Sequence, residues 1–269
     1  MTLRIASWNI NSVRLRLPLV ERFLREHEPD VLCLQEIKCA SELFPREPLA
    51  ALGYKHAAVH GQPGYHGVAT VSKLPLTEIE RRDFNGTGEA RHLTVRVKTG
   101  RKADGGLIID NFYVPSGGDE PDVTTNAKFQ QKLDFLAAMS VWAGSLEGHS
   151  RIAVGDLNVA PGEHDVWSHK QLLGIVSHTP IEVEQLNLVI AQGGWTDIMR
   201  TFVPPTEKLY SWWSYRAKDW RAANRGRRLD HIWARGPIAD RAKAMRVVDE
   251  TRGWAQPSDH VPVLADFKL

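Results

Sequence analysis

The chain has 269 residues, 42% of them apolar and 25% charged, with a formal net charge of +2. This supports a sizeable core in one large domain or two small ones, and the near-neutral balance leaves any nucleic-acid binding to local clusters of basic residues. Cys33 and Cys39 make neither a disulfide framework nor a zinc motif, no apolar run approaches the roughly 18 residues of a membrane-crossing helix, and the opening MTLRIASWNI lacks the basic-then-apolar order of a secretion signal.

In chain order, a strand-length apolar run at 3–8 comes first and ends in Trp8-Asn9-Ile10-Asn11. Apolar residues at 13, 17, 20, 23 and 24 predict a helix over 13–26. A second strand at 31–34, with Cys33 in its apolar run, ends in Gln35-Glu36-Ile37-Lys38. Strands at 68–72, 93–97 and 107–114 follow, the last ending in Tyr113-Val114-Pro115. Residues 54–114 hold strands and turns without a helical pattern, which favours antiparallel sheet. Beyond the irregular stretch 116–126, helical spacing returns over 129–141, and a strand at 152–154 ends in Gly155-Asp156-Leu157-Asn158. A third helix over 181–192 is closed by Gly193-Gly194. A second irregular stretch, 215–227, precedes a strand at 229–234 that opens Leu229-Asp230-His231, and Ser258-Asp259-His260 precedes a last strand at 261–267. No linker, low-complexity segment or fixed-period repeat divides the chain, so one domain spanning 1–269 is expected. Long loops inside a compact domain are often functional.

The chemistry shows at the strand ends, which carry carboxylates, amides and histidine. Each alone also reads as a turn or a helix cap. Six such sites offer hard oxygen donors or an imidazole, and oxygen donors are the set that magnesium prefers.

The segments W-N-I-N, L-Q-E-I-K, G-Y-H-G-V-A, N-F-Y-V-P, G-D-L-N-V-A-P, R-G-R-R-L-D-H-I and P-S-D-H-V-P, in this order between residues 8 and 262, resemble the signature blocks of the exonuclease III family of AP endonucleases. The resemblance implies an α/β fold, a four-layer sandwich of two mixed, mainly antiparallel β-sheets flanked by helices. It implies Glu36 as the main ligand of Mg2+, for which Mn2+ can substitute, with Asn9, Asn11 and Asp259 beside it. Asp156 is expected to orient or deprotonate the attacking water, and Asn158 to hold the phosphate. His260 is expected to contact the scissile phosphate with Asp230 or Asp259 fixing its orientation, Tyr113 to donate to the phosphate, and Lys38 to approach the carboxylates or the phosphate.

For substrate binding, the aromatics and arginines between Tyr210 and Leu229 suit a DNA surface, Arg225 among them. By resemblance, Trp212 and Leu229 wall the pocket for a flipped abasic sugar. Two positions depart from the family pattern: Ser116 stands where an asparagine or glutamine is usual, and Arg227 where another residue completes the wall. The expected activity is hydrolysis of DNA 5′ to abasic sites, extended to blocked 3′ ends and 3′-to-5′ exonuclease action, by a cytoplasmic, nucleoid-associated monomer. Two alternatives remain at this point: a phosphodiesterase of the same fold acting on another phosphoester, and a catalytically inactive DNA-binding scaffold.

Overall fold

The structure, a computed structural model, describes residues 1–100, 105–148 and 150–269. Its strands are β1 (Thr2–Asn9), β2 (Val31–Gln35), β3 (His56–His60), β4 (Val68–Ser72), β5 (Leu76–Glu80), β6 (His92–Val97), β7 (Leu107–Tyr113), β8 (Arg151–Asp156), β9 (Thr196–Asp197), β10 (Trp212–Trp213), β11 (Gly226–Arg227), β12 (Asp230–Arg235), β13 (Ala242–Val247) and β14 (Val263–Lys268). The helices are α1 (Leu17–His27), α2 (Arg46–Ala51), α3 (Ala127–Gly144), α4 (His169–Leu172), α5 (Pro180–Gly193), α6 (Ile198–Phe202) and α7 (Trp220–Ala223).

Two six-stranded sheets run in the orders β13-β14-β1-β2-β4-β3 and β5-β6-β7-β8-β12-β9. The pairs β1–β2 and β7–β8 are parallel; the other pairings of named strands are antiparallel. The central strands are continuous apolar runs because both faces of each sheet are covered. Leu3, Ile5, Val31 and Cys33 meet Val95, Ile109, Val154 and Ile232 between the sheets. The alternate residues Ala6, Trp8, Leu32 and Leu34 turn outward under Val20, Phe23 and Leu24 of α1. On the other sheet, Phe112, Ala153 and Trp233 face α3 and α5. This gives the layering helix, sheet, sheet, helix, the expected sandwich.

The helix expected over 13–26 begins only at Leu17. Asn11 and Ser12 have φ of 48° and 84°, and the Val13 N–H bonds to Ile37 O, which ties this segment to the end of β2 instead. Pro18 then lies in the first turn, where its fixed φ suits the helix and its missing N–H costs nothing. At α5, Thr179 and Glu182 form a capping box, and Gly194 at φ 59° ends the helix. The stretch 215–227 is not wholly irregular. It contains α7, capped by the Asp219 side chain, and β11, which pairs with β10. No helix among the described residues is long and apolar enough to cross a membrane.

Candidate active site

Parallel pairing aligns the C-terminal ends of β1 with β2 and of β7 with β8, at Asn9↔Gln35 and Tyr113↔Asp156. The antiparallel β12 begins at that same edge, with Asp230 opposite Asp156. One glycine permits the approach of β7 and β8. Gly155 has φ of +142°, and a Cβ there would collide with Phe112 O. Across the sandwich, Gln35 Nε2 donates to Asn111 Oδ1 at 2.7 Å, and Asn111 Nδ2 donates to Leu34 O and Ala69 O, so the two sheets are joined immediately behind the polar edge.

Asn9 is fully buried, and its Nδ2 donates both to Glu36 Oε1 at 2.9 Å and to Asp156 Oδ2 at 2.8 Å. It therefore bridges carboxylates carried by different sheets. Asn9 Oδ1 accepts from the Asn11 N–H, Asn11 Nδ2 donates to Asp259 Oδ1, and Asn11 Oδ1 accepts from Lys38 Nζ at 2.6 Å. Lys38 also pairs with Glu36 Oε2 at 2.8 Å. Burial raises the Glu36 pKa, but the Lys38 charge and the bonds from Lys38 and Asn9 outweigh it and hold the carboxyl below its usual range. Asn11, Glu36, Lys38 and Asn158 all have φ near +50°. Non-glycine residues persist in that region where the surroundings hold them, and such strain gathers at functional sites.

His260 is buried, with Nδ1 2.8 Å from Asp230 Oδ2 and Nε2 3.6 Å from Asp156 Oδ2. Burial disfavours its charged form, but the Asp230 and Asp156 carboxylates prevail and push its pKa up to about 10. Burial, partly offset by the His260 charge, raises Asp156 to about 7. Asp156 is aimed by Asn158, whose N–H reaches Oδ1 at 3.0 Å and whose Nδ2 reaches Oδ2 at 3.2 Å. Tyr113 is buried next to Glu36 and Asp156, and burial and then those two charges raise its pKa far above the ordinary value, so it is a neutral O–H donor. Asp259 is half-buried. Burial raises its pKa, but the His260 charge and the bonds from Trp212 Nε1 and Asn11 hold it low.

A cleft of about 970 Å³ opens on these groups, and Glu36, Tyr113, Ser116, Asp156, Asn158, Asp259 and His260 line it together with Trp212, Arg225, Arg227 and Leu229. Asn9 and Asp230 are fully buried, and Lys38 is turned toward Glu36 and Asn11. Leu229 packs with Ala160, Val166 and Leu172 and against Trp212, an apolar wall. Arg227 lies over the Trp212 ring at 5.4 Å and donates through Nη1 to Val176 O and to Ser177 Oγ. The Arg225 guanidinium lies 4.7 Å from the Trp167 ring centroid, so basic and aromatic groups alternate along the rim. Ser116 is exposed at the mouth of the cleft.

Asp156, Asp230 and His260 also bring three potential ligand atoms within 4.8 Å of one another. The two carboxylates favour a proton on this imidazole, and in that charged form it has no lone pair for a metal. The oxygens of Glu36, with Asn11 and Asp259 near it, are hard donors of the kind that hold a divalent cation. As placed, Asn9 turns its NH2 toward Glu36 and Asp156, while its oxygen accepts from the Asn11 N–H.

Several groups at the site were not legible as such. Gln35 and Asn111 stand within the motif blocks but carry no sign of a pairing across the sheets. Arg91 is buried, bonded to Glu89 and stacked 4.8 Å from the Tyr113 ring. Lys132 lies on a helix stripe yet is fully buried, and it bonds to Asn158 O.

The model of the Endonuclease/Exonuclease/phosphatase family matches residues 6–260. Exodeoxyribonuclease III of Haemophilus influenzae is 32% identical over 274 residues, covering 99% of this chain and 100% of that protein. An AP endonuclease structure from Archaeoglobus fulgidus superposes with a TM-score of 0.90 at 30% identity, covering 99% of this chain and 100% of that one. A structure of the 3′ phosphatase NExo from Neisseria, bound to product DNA hairpin, gives 0.88 at 29% identity, with 99% and 100% covered. The chain therefore belongs to the endonuclease/exonuclease/phosphatase family.

Proposed function

We propose that this chain is a DNA-repair phosphodiesterase that hydrolyses the backbone 5′ to abasic sites with the help of a divalent cation, Mg2+ foremost. The same site trims blocked 3′ ends and removes 3′ nucleotides. The observation that carries the reading is the span of Asn9 between Glu36 and Asp156, with the charged His260 alongside, at the floor of a cleft walled by Trp212, Leu229 and arginines. Kinship to an exodeoxyribonuclease III, an AP endonuclease and a 3′ phosphatase supports it. The proposal takes residues 1–269 as a single catalytic domain working as a cytoplasmic monomer.

Glu36, assisted by Asn11 and Asp259, would hold the cation, which when bound neutralises phosphate charge and favours departure of the 3′-oxygen. The remaining work belongs to the chain. His260 donates its Nε2–H to a non-bridging phosphate oxygen, and Asp230 keeps that imidazole charged and oriented. Tyr113 donates its phenolic O–H to the same group. Asp156 Oδ2 lies 3.6 Å from Nε2 while Asp230 holds Nδ1, and a pKa of about 7 suits Asp156 to take a proton from the attacking water at neutral pH. The attack forms a P–O bond, breaks the bond to the 3′-oxygen and leaves a 3′-hydroxyl and a 5′-phosphate. Trp212 and Leu229 receive the abasic sugar, which has no base to unstack.

The test is a substrate panel with Mg2+: a duplex with one tetrahydrofuran site, the same duplex intact, a duplex ending in 3′-phosphate, and an inositol phosphate. A single cut immediately 5′ to the tetrahydrofuran, faster by orders of magnitude than any cut in the intact duplex, is expected. Equal rates on intact DNA, or preference for inositol phosphate, would refute the proposal.

A further inference from the structure

Lys132, in α3, is a fully buried amine that the proposed chemistry does not use; burial lowers its pKa, and the Glu182 carboxylate paired with it opposes that. An ammonium has three N–H donors, and three acceptors meet them: Asn158 O at 2.7 Å, Ser116 O at 3.3 Å and the Glu182 carboxylate. These lie on three separate segments: the loop after β8, the loop after β7, and the first turn of α5. The Glu182 carboxylate also accepts from the N–H groups of Ser177 and Thr179 and from the Thr179 hydroxyl, so it is itself fixed.

A plain structural reading would treat Lys132 and Glu182 as a buried ion pair that stabilises the core. Such pairs contribute little net stability against apolar residues of similar volume. What the ammonium adds is a fixed distance between loops. Asn158 has φ of 54°, in the left-handed region that asparagine enters more readily than other non-glycine residues. Its N–H and Nδ2 are the groups that aim Asp156, and Nδ2 also reaches Val114 O at 2.9 Å. Lys132 grips the carbonyl of this same residue. Its second bond, to Ser116 O, ties down the mouth of the cleft.

We propose that Lys132 is a positioning residue: its buried ammonium fixes the loops that carry Asn158 and Ser116, and through Asn158 it sets the direction of Asp156. The cleft is thereby assembled before substrate arrives. This rests on the role given to Asp156 under Proposed function.

The experiment compares three proteins on the tetrahydrofuran duplex by kcat, KM and thermal midpoint: wild type, Glu182→Gln, and Lys132→Met/Glu182→Gln. Glu182→Gln keeps the Lys132 amino group; with its counter-charge gone burial favours the neutral form, whose two N–H groups still serve Asn158 O and Ser116 O. The double variant removes the amino group without leaving an unpaired buried charge, whereas Lys132→Met alone would strand the Glu182 carboxylate. Glu182→Gln should stay within about twofold of the wild-type kcat. The double variant, assayed well below its midpoint, should lose about 10- to 100-fold in kcat with KM within about threefold, the scale expected when a catalytic group shifts by about 1 Å. Equal kcat in the two variants overturns the proposal. So does failure of the double variant to fold, which would assign the ammonium to stability. A wild type that does not incise would instead refute the proposed function.

Discussion

Replacing Asp230 by asparagine removes one charge from the site and almost nothing else. The side chain is fully buried, and an amide oxygen could still accept the Nδ1–H that Asp230 Oδ2 now accepts at 2.8 Å. A unit charge about 4 Å from the imidazolium centre, in an effective dielectric of about 20, is worth about 4 kcal/mol. That is about 3 pKa units. The imidazole, at about 10 with Asp230 in place, should then titrate near pH ~7 in Asp230→Asn. In the wild type His260 stays charged until pH approaches 10; in the variant the charge is lost as pH rises through about 7. The assay is single-turnover incision of the tetrahydrofuran duplex from about pH 6 to about pH 9, with each variant rate divided by the wild-type rate at the same pH. Losing the Asp230 charge also lowers the Asp156 pKa, which raises the ratio at the acid end and makes its fall at least as steep as that of the charged imidazole. The ratio should fall by roughly 100-fold across the range, following the protonated fraction of the variant imidazole. A ratio flat with pH would refute the claim that Asp230 acts by keeping His260 charged.

Glu36→Gln keeps the shape and the Asn9 bond but removes the charge proposed to hold the cation, so the half-saturating Mg2+ concentration for incision should rise by at least about tenfold; an unchanged Mg2+ titration would move the metal elsewhere. His231 is buried and neutral, with Nδ1 facing Arg228 Nη1 at 3.2 Å and Nε2 on Val159 O at 2.9 Å. Burial and then the Arg228 charge lower its pKa to about 4. Its folded pKa lies below its unfolded one, so the unfolded chain binds the proton first and stability falls as pH drops from about 6.5 to about 4. Denaturant unfolding should show His231→Gln gaining about 3 kcal/mol relative to wild type between pH ~7 and pH ~4; a pH-independent difference would contradict this. Gly155→Ala drives a Cβ into Phe112 O at a positive φ, so chemical unfolding should register a loss of about 4 kcal/mol or more, or no soluble protein. A loss under about 1 kcal/mol would mean that β7 and β8 part easily.

The strands that carry the site were legible because each is an apolar run closed by a polar residue, and both sheet faces are buried. Residues 68–72 and 107–114 correspond closely to β4 and β7. The half-exposed strands β3 and β5 went unseen, since they present mixed patterns to solvent, and so did β10 and β11, two residues each, which have no period to read. The motif residues Glu36, Asp156 and His260 meet in one cleft, as their resemblance to a family implies. What sequence could not supply is the pairing of remote partners. Lys132 finds Glu182 fifty positions away, and Asn9 reaches Asp156 across 147. Nothing local distinguishes a buried, paired lysine on a helix from a solvated one. Nor does composition reveal which end of the Asn9 amide faces Glu36.

The most direct test of the account is single-turnover incision of the tetrahydrofuran duplex by Asp156→Asn, with duplex affinity measured on the same preparation. Asparagine preserves the volume and removes the proton acceptor. The account predicts a rate lower by at least about 10³-fold with affinity within about threefold of wild type. A rate near wild type would contradict it.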